Sequence, residues 1–411
     1  MIPLHVTWGH YNMVTSIQNS EKGEALGTMT KCQSNPDFKG LRANAARRAE
    51  KYALQNHSGK LLPKERVCKC LKMRITKEKD VGIRYNETRS SAHYDNLQRC
   101  GSIWICPVCA AQISEGRRQE LKSGISKWTT EGGSVYLLTL TNPHHYGDNL
   151  DQLLTGQQKA IKYLWGDRKT KERFALLGKV GHIITTEVTH GKNGWHPHYH
   201  ILLFFKHSVD IKALRLFIAF AWQNCCRKSG LKIPSVEHGC DLQDGTYADK
   251  YVSKWGLEDE MTKGHTKKGR EGSATPWDLL RLSEDGCERS GRLFQQYASA
   301  FKGKRQLHWS RGLKALLLVE ETTDEELATE TEKDSIEVRT LDRDLFKLVI
   351  KYKLRASVLR AVELEMTDGY SRVDDLIMEA AIRESKENIS QLMKDEEFIN
   401  IRHQMLSIAA P

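Results

Sequence analysis

The sequence predicts an α+β fold: helices flank a central antiparallel sheet, a cysteine-rich segment precedes it and a helical C-terminal region follows. Three observations lead there. Two β-rich runs, ending and beginning in IITTEVTH and WHPHYHILLFF, stand either side of Gly191-Lys192-Asn193-Gly194, a strong hairpin signal. Upstream, SVYLLTLTNPHH is an apolar run carrying Thr139 and Thr141 that ends in an Asn-Pro turn, as a buried strand does. Around these runs, apolar residues recur at helical spacing over 151–178 and 209–228.

Residues 1–64 are polar, with short helical stretches such as LRANAARRAEKYALQ, and part of this region is expected to be disordered. Residues 65–125 form the cysteine-rich segment and run into the helical stretch ISEGRRQELKSGISKW. Residues 126–315 hold the buried strand, a helical stretch over 151–178, the hairpin over 182–205 and an amphipathic helix over 209–228. A short helix over 243–257, a basic loop over 262–275 and a helix opening at TPWDLLRL follow, with Pro276 in the first turn. Residues 316–411 are acidic and helix-prone; LDRDLFKLVIKYKLRASVLRAVELEM has a 3.6-residue apolar period.

Charge divides the chain in the same way. The 411 residues carry 63 Lys and Arg against 52 Asp and Glu, a net of +11. Residues 1–315 have 50 basic and 30 acidic side chains, whereas 316–411 have 13 and 22. A basic block of this size suits a polyanion such as nucleic acid, although a solvated Lys-rich surface reads the same way. Apolar runs fall short of the roughly 18 residues of a membrane span. The N-terminus lacks a charged stretch followed by an apolar core, so a cytoplasmic protein is expected. In that compartment the ten cysteines serve as core residues, metal ligands or redox groups rather than disulfides. There is no internal repeat and no GxxxxGK[ST] loop, which excludes the commonest nucleotide-motor signature.

With the four residues 191–194 as its loop, the hairpin sets His190 opposite Trp195, Glu187 opposite His198 and Thr185 opposite His200. Side chains alternate along a strand, so His198, His200 and Glu187 share one face and Tyr199 takes the other. Two imidazoles and a carboxylate suit a divalent metal with open positions, which polarises a phosphate oxygen. The alternative is a histidine-rich strand without metal. His196 shares the face one pair nearer the turn, as a ligand, a neighbour of the ligands or a DNA contact.

Downstream, TYADKYVSKW places Tyr247 and Tyr251 four apart, each followed three residues later by a lysine, Lys250 and Lys254; on a helix all four form one stripe. Tyrosine is an oxygen nucleophile toward phosphate, and lysines favour its phenolate. An amphipathic helix with two packing tyrosines is the plainer reading. In the cysteine-rich segment, Cys100, Cys106 and Cys109 with Cys70, or Cys68 in its place, suit a tetrahedral thiolate zinc site. A CPVC redox pair and free buried thiols compete with zinc, and His93 is a possible substitute ligand. Cys225 and Cys226 read as packing residues. Lys302, Lys304, Arg305, His308, Trp309 and Arg311 form a basic-aromatic patch fit for single-stranded DNA, or a charged strand beside a core tryptophan. Lys263, Lys267, Lys268 and Arg270 make a DNA-facing or simply solvated loop.

The order LLTLT (137–141), HPHYH (196–200), YADKYVSK (247–254) resembles the HUH endonucleases, and within them the plasmid rolling-circle replication initiator (Rep) proteins. CGSIWICPVCA (100–110), TPWDLL (275–280) and FKGKRQLHWSRGL (301–313) add to a resemblance covering about residues 65–315. It implies an HUH core whose tyrosine helix packs across the metal-bearing sheet face. It implies nicking of one strand at a double-stranded plasmid origin extruded as a single-stranded hairpin, a covalent 5′-phosphotyrosine, a free 3′-OH for synthesis, and rejoining at termination. His198 and His200 match the family's metal ligands, for Mg2+ or Mn2+, and Tyr251 matches its nucleophile. Many plasmid Reps have Glu where Tyr247 stands; this chain looks more like the single-stranded phage initiators, whose two tyrosines share a helix. A host helicase, a polymerase and a second copy of the chain are the partners implied. The rivals are a two-tyrosine HUH transposase and a non-catalytic zinc-containing DNA-binding regulator.

Overall fold

The computed structural model describes residues 38–245, 272–329, 334–370 and 372–392. The main sheet is antiparallel. It is built from β3 (Ser134–Leu140), β4 (Lys179–Gly191), β5 (Gly194–Phe205), β6 (Cys240–Asp244) and β7 (Ser273–Ala274), in the order β6-β3-β5-β4-β7. The short β8 (His308–Trp309) pairs with β4 through Ile183 and Ile184. The hairpin strand β5 is thus central, and its register is the expected one: Glu187 faces His198, Thr185 faces His200 and His190 faces Trp195. Gly191 pairs with Gly194, so the connection itself is the two residues Lys192 and Asn193.

The two sheet faces bury different layers. Tyr136, Leu138, Tyr199, Ile201 and Leu203 pack against helices α3 (Leu150–Gly166), α4 (Arg168–Leu176) and α5 (Ile211–Lys228). Val135, Leu137, Ile183, Leu202 and Phe204 pack on the other side, against Leu121 and Trp128 of α2 (Pro107–Thr130) and against Leu307, Leu313 and Leu317. These helices start where a side chain takes up a free backbone N–H: Asn149 caps α3, Asp167 caps α4 and Asp210 caps α5. Asp167 also divides the helical stretch of 151–178 into two. Thr275 and Asp278 form a reciprocal capping box on α6 (Pro276–Glu284), with Pro276 in its first turn as the sequence indicates.

Three elements differ from expectation. The N-terminal region contains one 24-residue helix, α1 (Phe38–Leu61), in place of short stretches. Polar as it is, α1 buries Gln55 and Ser58, which bond to the cysteine segment. The helix expected from 243 does not start there: Cys240 and Leu242 alternate with exposed neighbours and form edge strand β6. The rest of that stretch lies outside the described residues. The acidic C-terminal region holds a strand as well as helices. This strand, β9 (Ile336–Leu341), pairs with β1 (Val81–Asn86), which pairs with β2 (Ser91–Tyr94), giving a second, three-stranded sheet.

That second sheet and the cysteine segment share a core with α1 and the C-terminal helix α11 (Arg355–Asp368). Arg355, 2 % exposed, joins them. Its guanidinium donates to Gln55 Oε1 at 2.8 Å, Asn56 Oδ1 at 2.8 Å and the Leu71 carbonyl at 3.1 Å, and lies over the Tyr52 ring. Arg48 of α1 meets Glu363 of α11 at 2.5 Å. No helix among the described residues is long and apolar enough to cross a membrane.

Candidate active site

On the face of the main sheet that α2 leaves uncovered at one end, β3, β4 and β5 bring their polar residues into register. Thr139 of β3 and Thr185 of β4 flank His200, and Glu187 flanks His198. His198 Nε2 lies 3.5 Å and His200 Nε2 lies 3.4 Å from the same carboxylate oxygen, Glu187 Oε2. The opposite ring nitrogens are engaged: His200 Nδ1 with the Thr139 hydroxyl at 3.1 Å, His198 Nδ1 with the His196 carbonyl at 3.4 Å. These bonds orient each ring with Nε2 toward the carboxylate; with the proton on Nδ1, each Nε2 offers the lone pair that a metal requires. Ligand atoms of the three residues lie within 4.8 Å of one another. The donor set fits a divalent ion with open coordination positions.

His196 stands apart from this group. Its Nε2 bonds the Thr141 hydroxyl at 2.8 Å and its ring stacks on His144 at 4.5 Å. Burial, with His198 and His144 alongside, pushes its pKa down to about 4, so the ring is neutral near pH 7. Behind the strand, Gln157 donates to the Pro197 carbonyl and to Asn142 Oδ1, both at 2.7 Å. Trp222 of α5 donates to the Thr141 carbonyl at 2.8 Å. These two buried anchors hold the strand ends that carry the site. Nothing in the sequence pattern singled out Gln157 or His144, and Asn142 stood out only as part of the Asn-Pro turn, because each takes its meaning in the site from a fold contact.

Tyr247, Lys250, Tyr251 and Lys254 lie outside the described residues, as do Lys263, Lys267, Lys268 and Arg270. The chain leaves β6 next to β3 and returns at β7, which pairs with His190 and Gly191 of β4.

The cysteine cluster is a second possible metal centre. Cys70, Cys100, Cys106 and Cys109 are buried and share one centre. Sulfur separations are 3.6 Å for Cys70–Cys109, 3.7 Å for Cys100–Cys109 and 3.8 Å for Cys70–Cys106. Four thiolates at about 2.3 Å from a tetrahedral zinc stand roughly 3.8 Å apart, so the spacing fits that ion. Burial opposes a thiolate at Cys106, but bonds from Cys100, Cys109 and Cys70 hold its pKa well below the ordinary thiol range. Gln55 Nε2 and the Cys109 N–H also point at its sulfur, at 3.3 Å and 3.5 Å. Cys68, the alternative ligand, is half-buried and outside the group. His93 is outside it too, near Ser335 Oγ at 3.4 Å. Cys225 and Cys226 are packed in the core beneath the sheet.

The basic-aromatic patch splits. Trp309 is half-buried against the sheet core under Lys314, whose ammonium lies 5.5 Å from the ring. Lys302 pairs with Glu65 at 2.7 Å, and the Lys304 carbonyl accepts from Trp104 Nε1 at 2.6 Å. Arg305 and Arg311 are exposed. Trp309 sits opposite Ile183, four residues along β4 from Glu187, so the patch flanks the His198–His200–Glu187 group at about 13 Å along the strand.

Comparison with known proteins gives the same direction. A family model described as a replication protein matches residues 94–357, more than half of the chain. The chain is 26 % identical to "Protein rep" of Streptomyces lividans, over 65 % of this chain and 75 % of that protein. It is 32 % identical to the "Neomycin resistance protein" of Streptomyces cyanogenus over 150 residues, 30 % of this chain and 34 % of that protein. No solved structure matches. The match also reaches beyond residue 315, the end of the motif resemblance, into the strand and helices that complete the second sheet. The chain therefore belongs to the replication protein family, that of the plasmid Rep initiators.

Proposed function

We propose that this replication initiator is a metal-dependent DNA nickase and strand-joining enzyme that starts rolling-circle replication of a plasmid. Its substrate is one strand of the double-stranded origin, presented as a single-stranded hairpin. The observation that carries the reading is the convergence of His198 Nε2 and His200 Nε2 on one oxygen of Glu187. Bound there, Mg2+ or Mn2+ would polarise the scissile phosphate and offset its developing charge.

The rest falls to the chain's own groups. The Tyr251 oxygen attacks the phosphorus; the bond to the 3′ oxygen breaks, and that oxygen takes a proton and becomes the primer. The phosphoryl group stays on the tyrosine as a 5′-phosphotyrosine ester. Lys250 and Lys254 favour phenolate over a phenol that ordinarily titrates near pH 10, and hold the phosphate. Tyr247 repeats the attack at termination, when the ends are rejoined. The four cysteines hold a structural Zn2+. Lys302, Lys304, Arg305, Trp309 and Arg311 contact the strand beside the site. Host helicase and polymerase act on the primed origin in the bacterial cytoplasm, and a second copy of the chain assembles there.

The test is a nicking assay on supercoiled origin plasmid with Mn2+ or with EDTA, comparing wild type, Tyr251→Phe, Tyr247→Phe and the double variant. A Mn2+-dependent covalent adduct, reduced at least 100-fold in Tyr251→Phe and absent in the double variant, is the expected result. Specific origin binding with no adduct under any condition would instead identify a zinc-containing DNA-binding regulator.

A further inference from the structure

A concavity of about 420 Å3 opens at the tip of the β4–β5 hairpin. Its floor is apolar, made by Trp195, Leu150 and Leu293; its rim carries Tyr146, His190 and Arg289. Alternation along β5 turns Trp195 away from the face that bears His198 and His200. His190 is three residues from Glu187, so the cleft begins about 10 Å along the strand from the metal group.

Tyr146 is 70 % exposed. Its loop is nevertheless stiff. The His145 N–H donates to Asp148 Oδ2 at 2.7 Å, and the Asp148 N–H donates back to the His145 carbonyl at 3.1 Å. Lys232 pairs with Asp148 at 3.7 Å. The hairpin presses on this loop at Gly194, where a Cβ would stand 3.1 Å from the His145 carbonyl oxygen and 3.2 Å from Tyr146 Cα. Arg289 faces the exposed ring, its guanidinium 6.0 Å from the ring centre and 3.4 Å from the phenol oxygen. His190 meets Trp195 edge-on at 4.8 Å.

A pre-ordered, exposed aromatic ring with a guanidinium beside it and an apolar floor is built to stack a planar group. The volume is that of a small-molecule site. Asp148 and Asp151 on the same rim disfavour a phosphate and leave the neutral, flat part of a nucleotide as the better occupant. We propose that this cleft holds one unstacked base of the DNA strand being cut, a few nucleotides from the scissile phosphate, and so fixes which phosphate reaches the metal-bearing face. The inference rests on the single-strand nicking reading above.

The test uses the full chain and a fluorescein-labelled 14-nucleotide single strand spanning the origin nick, with one abasic site moved through each position. Dissociation constants are measured for wild type, Tyr146→Ala and Tyr146→Phe. At one position the abasic strand is expected to bind wild type and Tyr146→Phe about tenfold more weakly than the intact strand, and Tyr146→Ala no more weakly. Equal abasic penalties in wild type and Tyr146→Ala at every position would overturn the pocket, as would a strand whose binding is indifferent to every abasic site. Covalent adduct is read from the same mixtures. Adduct without the Tyr146 coupling sinks the pocket alone; coupling without adduct sinks the nickase reading alone.

Discussion

At the residue scale, the site depends on which nitrogen of each histidine is engaged. His200 meets Thr139 through Nδ1, and that bond turns the ring so that Nε2 points toward Glu187. Replacing Thr139 by Val keeps the shape and removes the partner. Mn2+ affinity, measured by titration calorimetry on the metal-free protein, is expected to fall about tenfold in Thr139→Val and to return in Thr139→Ser. An unchanged dissociation constant in Thr139→Val would show that the hydroxyl does not orient the ring. The sequence carried this pair only in part. The shared face of His198, His200 and Glu187 follows from alternation and a well-signalled turn. The Thr139 contact needed the β3–β5 register, which no local pattern contains.

At the element scale, β4 has two ends of opposite character. One presents Glu187 to the histidines. The other half-buries Lys179 and His182 against the outer helices: His182 stacks on Trp165 at 4.2 Å and meets Lys179 Nζ at 3.0 Å. Burial, then the adjacent Lys179 charge, push the His182 pKa down to about 3, while burial lowers Lys179 to about 8. The unfolded chain therefore binds a proton at His182 below about pH 6.5 that the folded chain refuses, and stability falls with pH from there toward 3. At pH 5 this one group removes about 2 kcal/mol. Thermal melts of wild type and His182→Phe between pH 7.5 and 5 should diverge, with the variant losing less; parallel curves would mean that His182 takes up its proton in the folded state. The hairpin was the most legible element, since Lys192-Asn193 between two glycines leaves one sensible register. The start of the stretch from 243 was misread: Gln243 and Asp244 end strand β6, whose apolar alternation spans only Cys240 and Leu242, too few positions to tell strand from helix.

At the scale of the whole molecule, the chain is tied together by long-range contacts that composition hides. The cysteine cluster meets α1 through Gln55 and α11 through Arg355, whose buried positive charge lies near Cys70 and Cys106. A zinc held by four thiolates carries a net −2, so a buried guanidinium beside it is offset without a carboxylate partner. One zinc per chain is expected by elemental analysis, absent in Cys109→Ser, with the melting temperature lower by about 10 °C. Retained stability in a zinc-free chain would make the cluster a set of packed thiols. The cysteine spacing pointed to a site from the sequence alone, but the choice of Cys70 over Cys68 came from which thiol the turn after α1 faces inward.

The β1–β9 pairing sets a timetable for synthesis. Strand β1 leaves the ribosome about 250 residues ahead of its partner β9, which at 5–20 residues per second is roughly 12 to 50 s. For that interval the small sheet keeps an open edge and the core around Cys70 lacks Arg355, and over its second half the hairpin with its histidines is already made. Completion of the fold is therefore gated by translation of the C-terminal segment: a nascent or prematurely ended chain carries the histidine hairpin but not the closed scaffold.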